Sequence, residues 1–572
     1  VTFTAAQLKV LDEIERHRVT VVRAGPGAGK TRVFVEAFKR EIERSEQEHR
    51  RGVAALSFTN VAHEEISRRM GRTVSAPHFV GTLDTFLFRF VVRPFGSLVG
   101  LTPTGARLLP SPLDEVHPGP EVQFAPDPKN QTSIFLARCV AGPEEAPVIH
   151  VEKAAVDDRF AKKLLSAKQA HWKANGRVTH ADVHYLAARI LHGPHGASIG
   201  DVLAKRFGVL LVDEFQDTGH FLGRALLPML ASPSVRGVVV GDPDQAIFRF
   251  GGAQQTLFHD VDAIAARQGP LLDESHRCSR AVAAVATALS RSGKTVRPLA
   301  DAPDGRAIMF VYEEPPEIAT VTAKLEIPAE EHFATLARSN ATVRKLSSGV
   351  ATAEAPRGSR FGKRMSKAVE RFTDGDPNTA ARVTQSVLGE LVFDDANIDP
   401  EALRAQSIPW LSWRKACHAV LFEAMQVKDG EAWNAWLTRV RDCVRKEAET
   451  LGRPIAKLGQ KVRTFGNGGE TVRYTVESAS VDRSAHAMTI HQAKGREFAT
   501  VIFYVPKPHS KYAPCPSTQW WSTDPSSEER ETAFVACSRA MRQLALVVHK
   551  KTFDALSSSQ AGFVGLFEVV RM

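Results

Sequence analysis

The chain has 572 residues, 43% of them apolar and 24% charged, and its 74 Lys and Arg against 64 Asp and Glu leave a formal net charge of +10. At roughly 150 residues per domain this length predicts about three to five folding units, each able to bury a core, and the composition excludes a disordered or collagen-like chain. No window of about 18 uninterrupted apolar residues occurs, and Val1 to His17 is amphipathic with early acids instead of basic-then-apolar, so a cytoplasmic protein that meets no membrane is expected. The cysteines (Cys139, Cys278, Cys417, Cys443, Cys515 and Cys537) form no C-x-x-C pair, which argues against a zinc ribbon or iron–sulfur site and for reduced, packed thiols. The basic excess suits a polyanionic partner or a merely solvated basic surface.

In chain order, the first chemical signal is Val19 to Arg23, a short β-branched run, then Ala24-Gly25-Pro26-Gly27-Ala28-Gly29-Lys30-Thr31-Arg32, then a helical pattern from Val33 to Ile42. Strand, glycine-rich turn and helix are the context of a phosphate loop, because small residues let backbone N–H groups wrap phosphates at a helix N-terminus. Residues 24–32 are then the nucleotide cradle, with Lys30 reaching the β/γ-phosphates and Thr31 placing its hydroxyl on Mg²⁺. The strict pattern opens with Gly, and here it opens with Ala24.

Phe207 to Val212 is a continuous apolar run, as in a buried parallel strand, and it ends in Asp213-Glu214-Phe215-Gln216-Asp217. Carboxylates at the carboxyl end of such a strand face the crevice where α/β proteins bind ligands. Asp213 suits the Mg²⁺ shell and Glu214 a general base for water; alone, the run also reads as acids capping the next helix. A third strand, Val238 to Val240, leads to Gly241-Asp242-Pro243-Asp244-Gln245, where the Gln245 amide either reports on a γ-phosphate or stabilises a turn. Together these pieces predict a RecA-like nucleotidase core.

Further segments carry a resemblance to a family. Leu56-Ser57-Phe58-Thr59-Asn60-Val61-Ala62, Gly81-Thr82-Leu83-Asp84-Thr85-Phe86, Val212 to Thr218, Val240 to Phe248, Leu272-Asp273-Glu274-Ser275-His276-Arg277, Thr489 to Phe498 and Glu528 to Ala540 occur in the order found in UvrD/Rep-type superfamily 1 DNA helicases. The resemblance runs from Gln7 to Arg539. It implies that Gln7 reads adenine through its amide, that Arg277 and Arg539 stabilise charge on the γ-phosphate from the facing domain, that Glu497 accepts from the ribose, and that Gln245 couples phosphate to nucleic acid. It further implies that Thr59, Asn60, Gly81, Thr82 and His491 contact the strand, and that Phe248 and Phe250 stack unpaired bases; these two phenylalanines also read as core residues of a strand edge. The sequence departs from the family pattern at Phe250 (commonly Trp), Gly251 (commonly Arg) and His276 (commonly Tyr).

The expected fold is α/β, with two RecA-like P-loop domains of parallel sheet flanked by helices, each carrying a mainly helical inserted subdomain. The first domain takes residues 1–90 and 188–275, with an insertion at 91–187 that is Pro-rich through Pro128 and returns in a helix from His180 to Leu191. The second takes 276–345 and 481–572, with strands around Ala307 to Tyr312, Phe333 to Arg338, Ala487 to His491, Thr500 to Val505 and Leu544 to His549, and an insertion at 346–480. In that insertion Arg357, Arg360, Lys363, Arg364 and Lys367 read either as a track for duplex phosphates or as a solvated basic helix. Trp410 with Trp413, and Trp433 with Trp436, recur at i, i+3 and are expected in a helical core, ahead of a base-stacking platform. No stretch beyond the last motif is long enough for an appended nuclease, so a nuclease or repair protein is expected as a separate partner.

The activity implied is an ATP- and Mg²⁺-dependent 3′–5′ translocase on single-stranded DNA that unwinds at single-strand/duplex junctions, in repair, recombination or replication. The alternative is a nucleic-acid-sensing ATPase subunit of a nuclease or antiphage defence complex, with little unwinding.

Overall fold

The computed structural model describes residues 3–47, 51–58, 68–70, 74–102, 106–108, 121–127, 130–135, 158–218, 220–247, 256–328, 331–339, 342–343, 346, 359–373, 377–394, 398, 400–428, 430–466, 468–469, 472, 485–508, 520–521 and 529–572. The chain divides into two compact units, Val1–Phe95 with His184–Gly349 and Ser480–Met572, and Gly96–Val183 with Val350–Ala479.

The first unit holds two six-stranded sheets, every paired neighbour in them parallel. One lobe is built on β1 (Val19–Ala24), β2 (Gly52–Ser57), β3 (Phe79–Thr82), β4 (Phe207–Val212), β5 (Arg236–Gly241) and β6 (Leu271–Leu272), in the order β6-β1-β5-β4-β2-β3. Val/Leu-rich β4 and β5 are buried along nearly their whole length, as parallel strands covered on both faces must be. Helix α1 (Ala5–Arg16) starts at a capping box between Thr4 and Gln7. Helix α2 (Lys30–Gln47) turns Val33, Phe34, Ala37, Phe38 and Ile42 into the core with Val22, Val53 and Leu211. Because β1 lies between β5 and β6, and β4 between β5 and β2, the loops leaving β1, β4 and β5 all open on one carboxyl edge.

The other lobe is built on β7 (Arg306–Tyr312), β8 (Phe333–Ala337), β9 (Ala485–Thr489), β10 (Phe498–Val505), β11 (Ala540–His549) and β12 (Glu568–Arg571), ordered β9-β8-β10-β11-β7-β12. Helices α3 (Arg280–Leu289) and α4 (Glu529–Cys537) pack on it through Val282, Val285, Ala286, Phe534 and Val535, against Met309, Val501 and Leu546. This is the two-sheet α/β plan of paired RecA-like domains. The five strands expected here are present, and β12 is an additional edge strand.

In the second unit, helices Arg360–Thr373, Pro377–Phe393, Trp410–Met425 and Trp433–Thr450 bury a shared core that includes Met365, Val387, Val420 and Val440. Trp413, Trp433 and Trp436 lie fully inside it, and the Trp436 indole N–H donates to the Ala424 carbonyl at 2.8 Å. Trp410, at 38% exposure, does not follow its i+3 partner inward. On the basic helix, Arg364 pairs with Glu390 at 2.5 Å, Arg360 with the same carboxylate at 3.4 Å and Lys367 with Glu370 at 3.0 Å, while Lys363 is exposed; Arg357 lies outside the described residues. Residues Glu121–Asp127 and Asn130–Phe135 form an antiparallel pair, and helix Asp158–Asn175 places Lys168 on buried Asp182, which also accepts from Trp172 and the Thr179 amide.

Among the described residues no helix is long and apolar enough to cross a membrane. Cys278, Cys417, Cys443 and Cys537 are free thiols; Cys139 and Cys515 lie outside the described residues.

Candidate functional site

The turn after β1 closes on itself and on β6: the Gly25 N–H donates to the Leu272 carbonyl at 2.7 Å and the Ala28 N–H to the Gly25 carbonyl at 3.3 Å. Gly27 and Gly29 adopt φ of +72° and +81°, a region that L side chains rarely enter. Space demands glycine there as well. A Cβ on Gly27 would stand 2.5 Å from the Arg277 Cβ, and one on Gly29 would stand 2.5 Å from the Gln7 amide nitrogen. Lys30, Thr31 and Arg32 form the first turn of α2, whose N–H groups have no intrahelical acceptor and point at whatever the loop encloses. The Arg32 guanidinium lies over the Phe3 ring at 4.3 Å.

Two carboxylates leave β4 toward this loop. Asp213 is buried, its N–H held by the Leu56 carbonyl at 2.8 Å. Glu214 is in the left-handed region at φ 51°, uncommon for a side chain of this kind, and its N–H donates to the Asp213 carboxylate at 2.9 Å. Their environments pull them apart. Burial, then the neighbouring Glu214, raises Asp213, whereas for Glu214 the upward push of burial is outweighed by Lys30, Lys494 and the Gln216 amide, so its carboxyl sits below the ordinary range. Glu214 therefore stays ionised, as a base must. Burial lowers the Lys30 ammonium, partly offset by Glu214 and Asp242.

The Gln216 side chain ties the two acidic turns together, donating to Glu214 and accepting from the Asp242 N–H at 2.9 Å. After β5, the Gln245 amide nitrogen donates to Asp242 at 2.7 Å and its oxygen accepts from Arg539 at 3.1 Å. Arg539, at 2% exposure, is pulled down to about 10, mainly by burial and then by Arg277. Arg277 pairs with Glu497, donates to the Ser538 carbonyl at 3.3 Å, and keeps a buried Nε with no hydrogen-bond partner among the described residues. Buried guanidinium donors not fully matched by acids suit an incoming polyanion. Lys494 donates to Asp217 at 2.6 Å and to the Gln245 carbonyl.

Gln7 is buried against the loop. Its amide nitrogen donates to the Ala28 carbonyl at 3.2 Å and stands 3.4 Å from the His276 Nε2, and its oxygen accepts from the Thr4 N–H at 3.3 Å. The His276 backbone N–H donates to the Gly27 carbonyl at 3.0 Å, which holds this part of the chain beside the loop.

Of the residues expected on the strand path, Gly81 and Thr82 end β3, with Thr82 accepting from the Thr85 N–H at 3.2 Å to cap the next helix. His491, just after β9, donates from Nε2 to the Ile247 carbonyl at 3.1 Å, and burial, then Arg338, keeps its pKa low. Thr59, Asn60, Phe248, Phe250 and Gly251 lie outside the described residues. Sequence reading assigned no role to Gln216, Asp217, Asp242 or Lys494. The first three flank the acidic turns, and Lys494 stands between His491 and Glu497, so their positions inside the motifs were the available signal.

For a metal, Thr31 and Asp213 offer one hydroxyl and one carboxylate. Among the described residues no cluster of three or more His, Cys, Asp or Glu could hold an ion unaided. That sparse oxygen set suits Mg²⁺, which keeps waters and binds through one or two carboxylates plus substrate phosphates.

Residues 4–101 and 125–264 match the UvrD/REP helicase N-terminal domain, and residues 473–551 match the UvrD-like helicase C-terminal domain. The chain belongs to the UvrD/REP helicase family. DNA helicase II of Salmonella typhimurium is 26% identical over 360 residues, 59% of this chain and 48% of that protein. The ATP-dependent DNA helicase Rep of the same organism is 25% identical over 284 residues, 45% and 39% of the two chains. A shorter match, 40% identical over 75 residues, joins 13% of this chain to 15% of the Gabija protein GajB of Bacillus cereus. The chain thus spans about half the length, or less, of these UvrD/REP relatives.

Proposed function

We propose that this protein is an ATP-dependent translocase on single-stranded DNA that moves 3′ to 5′ and separates duplex at single-strand/duplex junctions, in repair, recombination or replication in the cytoplasm. One observation carries the reading: Lys30, Glu214 and Gln245 of one lobe and Arg277 and Arg539 of the other converge on one network at the phosphate loop. A small-molecule kinase would not need the second lobe's cations.

ATP binds with its phosphates along residues 24–32 and its adenine beside Gln7 and His276, where the Gln7 amide exchanges its Ala28 and Thr4 contacts for the base edge. Thr31 and Asp213 would hold Mg²⁺, which would supply charge neutralisation to the phosphate oxygens. Glu214, kept ionised by Lys30, orients and deprotonates the attacking water. Arg277 releases Glu497 to meet the γ-phosphate, and Arg539 does so beside Gln245. Phosphoryl transfer spreads negative charge over the equatorial oxygens, which the two guanidinium forks match. Glu497, once released, accepts from the ribose. Gln245, bonded to Arg539 and through its carbonyl to Lys494, connects the phosphate to His491 and to Thr59, Asn60, Gly81, Thr82, Phe248 and Phe250 along the strand. Lobe closure on ATP and reopening after hydrolysis then become steps.

Strand displacement on duplexes with either a 3′ or a 5′ single-stranded tail tests the reading. ATP-dependent displacement from the 3′ tail, abolished in Lys30→Ala, is expected. Strand-stimulated hydrolysis without displacement from either tail would replace it with a nucleic-acid-sensing ATPase that serves a nuclease or defence complex.

A further inference from the structure

The turn that presents Gln245 is gripped from the second lobe by side chains outside the family motifs. Asp242 and Asp244 are both fully buried, and Ser290, Ser292 and Lys294, which follow α3, bond to their carboxylates. The Ser290 hydroxyl donates to the Asp244 carboxylate at 2.6 Å, the Ser292 hydroxyl at 2.8 Å and the Ser292 N–H at 2.9 Å. Lys294, with 8% of its side chain exposed, pairs with Asp242 and stands 3.4 Å from Asp244.

We propose that Lys294 is a positioning residue for the ATP site, neutralising Asp242 across the lobe boundary so that Gln245 keeps its amide oxygen toward Arg539 and Lys30 stays available to phosphate. The inference rests on the ATP-hydrolysing reading of that site. An ionised carboxylate only accepts, so Asp242 compels Gln245 to present its nitrogen and leaves the oxygen for Arg539. Burial pushes the Asp242 carboxyl up, but Lys294, then Lys30, outweigh it and hold the group ionised. Without Lys294 two outcomes follow. Asp242 takes up a proton, becomes a donor and lets the Gln245 amide turn its nitrogen on Arg539, or it stays ionised and draws Lys30 away from the nucleotide.

The test compares steady-state ATP hydrolysis with oligo(dT), and thermal melting, for the whole chain carrying Lys294→Met, Lys294→Arg, Asp242→Asn and the double substitution. Lys294→Met is expected to lose at least about tenfold in kcat/KM for ATP, with KM rising where Asp242 stays ionised and draws on Lys30, and Lys294→Arg to retain more turnover than Lys294→Met. Because the lysine acts through the Asp242 charge, adding Lys294→Met to Asp242→Asn should change kcat/KM by less than about threefold, a comparison that holds even where Lys294→Met alone does not fold. A further tenfold loss in the double variant, or a Lys294→Met kcat/KM within about twofold of the parent, overturns the inference. A parent chain whose turnover is unaffected by Lys30→Ala would instead overturn the ATPase reading.

Discussion

Asp217 shows how a single buried group sets a pH response. Burial, countered by Lys494, raises its carboxyl from 3.8 to about 6. Between those values the unfolded chain has released the proton and the folded chain retains it, so raising the pH through this window favours unfolding. Asp217→Asn removes that penalty. Its melting temperature relative to the parent should therefore rise by about 2–4 °C between pH 4.5 and pH 7, as followed by circular dichroism. A difference that falls over the same range would contradict the assignment. Arg539 makes the complementary case for catalysis: its guanidinium reaches Gln245, Val535 and Ser538 together, a spread of donors that a lysine cannot reproduce. Arg539→Lys should lower strand-stimulated kcat by roughly 10³-fold, the low end of what a charge-stabilising arginine is worth, with ATP affinity measured separately by equilibrium binding.

At the scale of elements, the phosphate loop is constrained by backbone and by space together. Gly29→Ala must adopt a φ of +81° and place its methyl on the Gln7 amide. It is expected to weaken nucleotide binding by about tenfold or more in isothermal titration, at a stability cost of about 1–2 kcal/mol. In the helical unit, Trp436→Ala removes a fully buried indole and its bond to Ala424, and should cost about 3–5 kcal/mol in a denaturant melt, with Trp436→Phe costing less. The elements legible in the sequence were those whose signal is local. Phe207 to Val212 reads as a buried strand because it is apolar throughout, and the helix from His180 to Leu191 has the bounds its periodicity indicates. Strand β12 has no such signal, since Glu568 to Arg571 is mostly exposed and owes its conformation to pairing with β7. The site divides in the same way. Lys30, Asp213 and Glu214 announce themselves by strand-and-turn context, whereas the Lys294 grip on Asp242 joins residues 52 positions apart. Likewise the basic run from Arg360 to Lys367 looks short of acids only along the chain, because Glu390 reaches it from the next helix.

At the scale of the molecule, the net charge of +10 takes on a more specific meaning. Part of the basic content is spent internally, on Arg277, Lys294, Lys494 and Arg539 between acids and carbonyls of the lobe boundary, and on the acid-paired helix of the second unit. Arg539 and Lys494 bond to Gln245 from the other lobe at the turn after β5, and on the proposed function nucleotide at the loop after β1 acts on that junction. The proposed function has this junction hydrolyse ATP under the control of a bound strand. Its most direct test is steady-state ATP turnover, with and without single-stranded DNA, for the parent chain, Lys30→Ala and Glu214→Gln. Stimulation of the parent by DNA, and loss of turnover to background in both folded variants, is the expected result; ATP turnover left unchanged by either substitution would contradict it.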